Sequence, residues 1–394
     1  MACRVAACVP LLGFRHRAWQ AFRGPAEHSP ESASLCQAAG ERPRGLCRAL
    51  SEQIDAVARL QGASPEPAGA DAGAAAAAEL HSSLREVLWC LRPDDKASPW
   101  GDSCLEVAGL LLAADVPARL VGCLPLLGFE ARKDASRVFT ALLRAGASLE
   151  AEIARNLRSS PRLLRMLLEG CGDAEVFFHC SQMLRACAGE QGLLEALHQE
   201  AAADTLIALA QHPSFDISSE AFASLRVLML GHREASASYL EANFSHFFGL
   251  YHGLLQTEDY ATRRQALKLL SEILLDRAFM RVMIEYVKDE RYLQLHMNLL
   301  RDSSKAIRME AFQVFKIFAA NPNKPRRVQI ILHRNRDRLV QLLGALRPKE
   351  DDSPVARSQG GAVFERDLAT VVKLLGALEL PSKVVSPQAS GKPC

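Results

Sequence analysis

The hydrophobic positions of the chain recur at helical spacing over most of its length. From Glu79 onwards, apolar residues return every three to four positions, and short polar or proline-containing breaks separate the runs. Two of the runs, Tyr260–Leu275 and Lys305–Ala320, align with each other at a shift of 45 residues. Because a repeat of this size cannot bury its apolar face alone, the pattern predicts an all-α array of stacked helical repeats.

Five copies of the repeat become visible when the small residue in the longest helix of each copy is taken as a reference residue. Apolar residues follow four and seven positions later, which is the spacing of one buried helix face. The reference residues are 41 to 45 positions apart, within the range of armadillo and HEAT repeats. The predicted buried positions are Ala135, Cys180, Ala221, Ala266 and Ala311; Phe139, Leu184, Leu225, Leu270 and Phe315; and Leu142, Cys187, Leu228, Ile273 and Phe318.

Composition along the chain predicts three regions. The first is rich in Pro, Ser and Arg without a sustained period, and its Ala-rich end is of low complexity. The predicted boundaries are an extension over 1–78 with a helix at 46–60 and an Ala-rich linker at 64–78, a repeat domain over 79–380, and a tail over 381–394.

The sequence indicates where two helices of the predicted domain begin. Asp302, Ser303 and Ser304 are candidates to cap the helix that starts at Lys305, because their side chains can accept hydrogen bonds from first-turn amides. The polar segment 349–361 is predicted to be a disordered loop. The helix predicted after it, at 364–380, has an apolar stripe with which it can close the stack.

The overall charge gives no case for nucleic-acid binding. The chain has 47 basic and 45 acidic residues, whereas phosphate binding requires a concentrated basic surface. No apolar run is long enough to span a membrane. Eleven cysteines occur without a Cys-x-x-Cys pair, which indicates free thiols in a reducing compartment and predicts a cytoplasmic protein.

The N-terminus leaves a second localisation open. Arg4, Arg15, Arg17 and Arg23 precede the first acidic residue, Glu27. An Arg-containing, acid-free start is typical of organelle transit peptides. Organelle targeting therefore stands as the alternative to a cytoplasmic location.

Catalytic signatures are missing from the sequence. It has no Gly-rich phosphate loop, no G-x-S-x-G turn and no H-E-x-x-H pair. The nearest approach to a metal cluster is His179 with Cys171, Cys180 and Cys187. Two of these cysteines occupy predicted core positions, which favours packing over zinc binding. We therefore predict a non-enzymatic protein without cofactor or metal.

One constellation in the sequence has a functional interpretation. Arg264 and Lys268 are four residues apart on the polar side of a helix, where like charges repel. Glu272, one turn later, could neutralise Lys268 as part of an ordinary surface ladder. Alternatively, the pair forms an anion pocket in which Arg264 grips a carboxylate. Met297 is either a core residue or an adaptable wall of that pocket. The residues alone thus predict a helical scaffold with a candidate peptide groove.

Several stretches of the chain resemble the calcium-binding protein 39 family of scaffold proteins, also called mouse protein twenty-five. They occur in collinear order over roughly 80–380. The ending EAF-x-VFK-x-F-x-ANPNK is the most specific of them. The other stretches are GFEARKDASRVFTALLR, FDISSEAFASLRVLM, YATRRQALKLLSEILLDR and LQLHMNLLRD.

The resemblance implies an armadillo-like, right-handed stack of helices without enzymatic activity or calcium site. It also implies partners, because members bind sterile-20-type protein kinases and a related pseudokinase adaptor, through which they support the liver kinase B complex. The family uses a C-terminal pocket for a Trp-Glu-Phe or Trp-x-Phe tail and a concave face for the kinase fold. Carried over by position, Arg264 and Lys268 face the acid of the tail, and Met297 walls the aromatic pocket.

The resemblance also implies a kinase-facing set. Tyr260, Arg277 and Met280 stand at family contact positions, although the family has Phe where this chain has Met280, with Phe279 one place earlier. The expected mechanism is a population shift, in which a scaffold that prefers the active kinase stabilises it. The competing hypothesis is a generic helical-repeat adaptor for transport or cytoskeletal partners.

Overall fold

The structure is a computed structural model that describes residues 42–60, 67–91, 102–146, 161–346 and 359–379. Every regular element in these ranges is a helix, which confirms the predicted all-α helical-repeat architecture. The helices form two compact units, one ending at Leu254 and the other beginning at Leu255. The predicted organelle transit peptide, residues 349–358 of the predicted loop and the tail from 381 lie outside these ranges. Residues 359–361 of that loop are instead the start of a helix.

The first unit consists of helices that pack both on their neighbours in the chain and on helices two or three places away. A short 3-10 helix, Leu124–Leu126, follows the fourth of them. Its helices are α1 (Arg42–Leu60), α2 (Pro67–Cys90), α3 (Asp102–Ala113), α4 (Val116–Cys123), α5 (Phe129–Gly146), α6 (Pro161–Gly170), α7 (Phe177–Ala188), α8 (Gln191–Gln199), α9 (Ala202–Leu209), α10 (Phe215–Leu230), α11 (Arg233–Ala242) and α12 (Phe244–Gln256), the last of which reaches the unit boundary.

The second unit is built in the same way. A 3-10 helix, Arg277–Phe279, connects its first two helices. Its helices are α13 (Tyr260–Leu275), α14 (Met280–Tyr286), α15 (Glu290–Leu299), α16 (Lys305–Ala320), α17 (Arg326–Arg334), α18 (Arg336–Gly344) and α19 (Gln359–Gly376).

The repeat positions identified from the sequence form the core. All fifteen reference, fourth and seventh positions are at most 2% exposed. The small reference residue lets neighbouring long helices approach, so α5 packs on α7, α7 on α10, and α13 on α16. Cys180 and Cys187 are among these residues, and burial raises the pKa of each thiol to about 12. Their predicted core role is confirmed.

The predicted Ala-rich linker is wrong over the part that the structure describes. Residues 67–78 form the first half of α2, and α2 packs along α1. Leu50 and Ile54 of α1 are buried, and Arg119 of α4 donates hydrogen bonds to the Ser51 carbonyl and the Asp55 carboxylate. Alanine has the highest helix propensity of all residues, so a low-complexity alanine run continues a helix that packing on both sides stabilises. The helix predicted at 46–60 is present and starts at Arg42.

A polar contact recurs between successive long helices of the first unit. We call the residue immediately before each reference residue the linking residue. His179, the linking residue of α7, donates from Nδ1 to Ser136 Oγ of α5 at 3.2 Å, since the hydroxyl proton of Ser136 is used on the Arg132 carbonyl. Glu220, the linking residue of α10, accepts from Arg185 of α7 at 2.6 Å. Hydrogen bonds and ion pairs between side chains thus hold these successive long helices together, in addition to apolar burial.

No single described helix is long and apolar enough to cross a membrane. The bent pair Cys104–Ala113 and Val116–Leu126 passes the same test by length and composition alone.

His198 is a half-buried histidine whose two ring nitrogens are buried and form no hydrogen bond with the described residues. Its ring lies at the end of α8 and stacks on Tyr239 of α11, with centroids 4.0 Å apart and planes 12° apart. Burial lowers the pKa of His198 from 6.5 to about 4, because the imidazolium form would lose its hydration without gaining a partner. The neutral ring is therefore part of the packing between α8 and α11.

We expect this histidine to make the fold acid-sensitive. The unfolded chain binds a proton near pH 6.5 and the folded chain only near pH 4, so stability is complete above 6.5 and falls as the pH drops between these values. The His198 contribution to the free energy of unfolding should decrease by about 2 kcal/mol between pH 7 and pH 5. Urea unfolding at both pH values measures it. His198→Phe keeps an aromatic stack and should remove this share of the loss; an equal loss in both proteins would contradict the assignment.

Candidate functional site

The start of α13 is held by a side-chain cap. Asp259 accepts a hydrogen bond from the Thr262 amide at 2.6 Å, and that bond is the main cause that lowers the pKa of its carboxyl. The next residue, Tyr260, begins the helix and is 46% exposed. Arg263 turns to the Asp302 carboxylate at 2.6 Å, which ties the start of α13 to the turn before α16. The cap therefore fixes the direction in which the exposed side of α13 points.

The two basic residues singled out from the sequence lie on that exposed side. Arg264 and Lys268 are both exposed on α13. Neither forms an ion pair within 4.0 Å with another described residue, in contrast to Arg263 beside them. The simple surface ladder with Glu272 is thus not formed by Lys268. What the helix presents is a pair of cations that are open to an anion.

Glu310 is an acidic residue that interacts electrostatically with this pair, and the sequence analysis missed it. Glu310 is half-buried on α16, the helix packed against α13. Burial raises the pKa of its carboxyl, while Lys268 and Arg264 act in the opposite direction. A signal for it was present, because Glu310 is the linking residue that precedes the reference residue Ala311.

Met297 lies on α15, one helix before α16. It is only 7% exposed, so it packs mainly as a core residue. Side-chain hydrogen bonds hold both ends of the same helix. Asp289 caps its start by accepting a hydrogen bond from the Arg291 amide at 2.8 Å, and near its end His296 shares a hydrogen bond of 2.9 Å with the Tyr286 hydroxyl. Helices α13 and α15 both pack directly on α16. The common neighbour of the basic pair and Met297 is therefore α16.

The far side of α16 is braced by the last helix. Lys316 donates to Asp367 of α19 at 2.8 Å, and the Phe312 ring meets Phe364 at 5.1 Å between centroids. The predicted closing helix is confirmed, although it runs over Gln359–Gly376 rather than from 364 to 380. Ser304 accepts from the Ile307 amide, as predicted for the cap of α16. These contacts hold α16 between its two neighbours.

Two of the three residues predicted to face a kinase, Arg277 and Met280, lie beyond the other end of α13, whereas Tyr260 lies at its start. Arg277 is exposed in the 3-10 helix, whose start is capped by Asp276 through the Ala278 amide at 2.9 Å. Met280 is half-buried, whereas Phe279 is fully buried. An aromatic contact at this surface is thus not available from Phe279, and Met280 is the apolar side chain that remains there.

Sequence reasoning also missed a repeated exposed aromatic residue. Phe129 begins α5 and is 69% exposed, and Phe215 begins α10 and is 65% exposed. Each stands six positions before its reference residue, as Tyr260 does on α13. Exposed aromatic side chains are typical anchors of protein interfaces, so the register of the repeats identifies two further candidates.

The described helices present surfaces to which a partner can bind. The described residues contain no group of three His, Cys, Asp or Glu side chains placed to hold a metal. The described cysteines are free thiols, and most of them are buried. The candidate site combines two cations that form no ion pair with another described residue, a half-buried carboxyl and apolar neighbours. It lies on a stack of helical repeats, which defines the class of helical-repeat scaffolds.

Comparison with known proteins agrees with this class. A sequence profile of the Mo25-like family matches residues 35–360. The Mo25-like protein of Schizosaccharomyces pombe is 37% identical over 68% of this chain and 81% of its own length. The human protein named calcium-binding protein 39-like is 32% identical over 70% of this chain and 82% of its own length. MO25-like protein 2 of Caenorhabditis elegans is 38% identical over 64% and 74% of the two chains.

The chain therefore belongs to the Mo25-like family, as the motifs over roughly 80–380 indicated. The family match starts at residue 35 and so includes α1 and the first half of α2, which the sequence analysis had placed in an extension. Among solved structures, a designed armadillo repeat protein in complex with a (KR)4 peptide has a TM-score of 0.40 at 16% identity over 68% of this chain and 99% of that chain.

The cap of α13 gives a testable prediction. Asp259→Ala should lower the free energy of unfolding by about 1 kcal/mol, because the first-turn amide loses its acceptor. Asp259→Asn retains an acceptor oxygen and should lose much less. Urea unfolding monitored by circular dichroism compares the three proteins. Equal losses in both variants would show that the cap is not the source of the stability.

Proposed function

We propose that the protein is a non-enzymatic scaffold that binds and allosterically activates sterile-20-type protein kinases or their pseudokinase adaptor. The observation that carries the proposal is the open pair Arg264 and Lys268 on α13, in a chain of the Mo25-like family. Two exposed cations without ion-pair partners leave charge that a partner's carboxylate can neutralise. An Arg side chain can bind such a carboxylate through two parallel hydrogen bonds.

The proposed ligand of this surface is a C-terminal tail of the Trp-x-Phe type. Its acidic residue would bind Arg264 and Lys268, and one of its aromatic rings would pack near Met297. Met297 is 7% exposed, so its thioether would have to be reached at the edge of the core rather than on an open surface. The flexible, polarizable Met side chain can adapt to an aromatic ring at such an edge.

The kinase fold itself would bind a second surface that includes Tyr260, Arg277 and Met280. Tyr260 and Arg277 are exposed, and each sits beside a side-chain cap that holds its backbone. Phe129 and Phe215 occupy the position of Tyr260 in their own repeats and are candidates for the same role in the first unit. Aromatic and Arg side chains account for much of the binding energy of protein interfaces.

Activation would follow from differential affinity. A kinase domain exchanges between inactive and active arrangements, and a scaffold that binds the active one more tightly raises its population. The tail contact would raise the effective concentration of the kinase at the second surface. The free thiols of the described residues favour a reducing compartment, so we propose that this takes place in the cytoplasm.

Charge reversal tests the tail pocket. Arg264→Glu should abolish binding of a fluorescent peptide that ends in Trp-Glu-Phe, because the peptide's acid would then meet a like charge. Fluorescence anisotropy measures the affinity, and circular dichroism checks that helicity is unchanged. Arg338→Glu is the matched control, since Arg338 is an exposed cation on α18. Unchanged binding by Arg264→Glu would contradict the pocket.

The second surface is tested separately. Tyr260→Ala and Arg277→Ala should reduce stimulation of a sterile-20-type kinase, measured as phosphorylation of a substrate peptide, while the affinity for the tail peptide stays the same. The reason is that these residues lie outside the basic pair. Loss of tail binding in both variants would indicate a single surface instead of two.

The competing hypothesis, a generic adaptor for transport or cytoskeletal cargo, predicts different partners. Affinity purification of the full chain followed by mass spectrometry separates the two. Enrichment of a sterile-20-type kinase that is lost with Arg264→Glu supports the kinase scaffold. Enrichment of cargo proteins without any kinase would support the adaptor.

A further inference from the structure

The linking residues His179 and Glu220 of the first unit form side-chain contacts with the preceding long helix. The linking residue Glu310 of the second unit forms no ion pair within the described part of the chain. His179 reaches Ser136 at 3.2 Å, and Glu220 reaches Arg185 at 2.6 Å, each bonding to the preceding long helix. Glu310 is the linking residue of α16, and the preceding long helix is α13. There, no ion pair within 4.0 Å joins Glu310 to a described residue. The polar contact between these two helices is thus incomplete at the candidate tail pocket.

Three charged side chains of α13 act on Glu310. Lys268 and Arg264 attract its carboxylate, and Glu272 repels it. Glu310 is half-buried on the helix that packs against α13, so its carboxylate has given up part of its hydration without a hydrogen bond or an ion pair to another described residue. The carboxylate thus acts on two cations without forming an ion pair with either. A carboxylate from another molecule would be attracted by the same two cations.

We propose that Glu310 is a built-in competitor for the acidic residue of the partner's tail, and that it thereby limits the affinity of the pocket and restricts it to ligands with a strong anchor elsewhere. This inference rests on the proposed function, because it concerns the same basic pair. The acidic residue of a bound peptide would be attracted by the two cations and repelled by the carboxylate of Glu310. A tail that also places an aromatic ring near Met297 has additional binding energy with which to offset this repulsion.

The test uses the full chain and two fluorescent peptides, one ending in Trp-Glu-Phe and one ending in Trp-Gln-Phe. Glu310→Gln should bind the acidic peptide about fivefold more tightly than the wild type, since a like charge close to the ligand is removed. The affinity for the neutral peptide should not change. Glu310→Gln should also raise the melting temperature at neutral pH, because a half-buried charge without a partner is removed.

Glu220→Gln is the matched control. It removes a linking carboxylate whose bond to Arg185 is closed, so it should lower the melting temperature and leave both peptide affinities unchanged. A higher melting temperature for Glu310→Gln and a lower one for Glu220→Gln would distinguish a linking carboxylate without an ion pair from one that forms an ion pair. A gain for both peptides in Glu310→Gln would mean that the substitution reshapes the pocket instead of removing a competitor, and would overturn the inference.

The remaining outcomes separate this inference from the proposed function. If the wild type binds the acidic peptide, Arg264→Glu abolishes binding and Glu310→Gln binds no better than the wild type, only the competitor role is wrong. If neither the wild type nor Glu310→Gln binds either peptide, the tail pocket itself is wrong and the competitor role is wrong with it.

Discussion

Burial of one narrow apolar face on the long helix of each repeat is the constraint on which the structure depends. A small residue, with larger apolar residues four and seven positions later, brings the next long helix close and determines its rotation. Once these faces are buried, the outward side chains of neighbouring long helices have fixed positions relative to each other. The charges of Arg264 and Lys268 on α13 act on Glu310 of α16 for this reason, although no local motif joins these residues.

The same geometry determines which polar side chains of neighbouring long helices form a hydrogen bond or an ion pair. Glu220 has an Arg on the preceding helix at 2.6 Å, and its charge is neutralised inside the stack. At the interface of α13 and α16 the acid remains half-buried and the cations remain exposed, so the electrostatic free energy there can still be lowered by a ligand. A scaffold whose core is complete and whose polar contacts are incomplete at one interface can bind a partner without changing its own fold.

Several predictions from the sequence considered one helix at a time. Physical reasons explain which of them were correct and which were wrong. The core positions and the cap at Ser304 were correct because burial and capping follow from local spacing. The Ala-rich linker was wrong because low complexity was given more weight than the helix propensity of alanine, and α1 supplies a surface on which α2 packs. Phe279 and Met280 show the same limit, because a shift of one residue along the chain exchanges a buried for a half-buried side chain.

The sequence by itself determined the repeat period, the apolar face of each long helix, the membership in the Mo25-like family and the pair Arg264 and Lys268 as candidates. Only the tertiary structure decided that Glu310 acts on this pair, that Met297 is nearly buried, and that the contact between Glu310 and the cations stays open. The reason is that a helical period fixes where a side chain points on its own helix, whereas pairing depends on a residue of the next repeat, more than forty positions away.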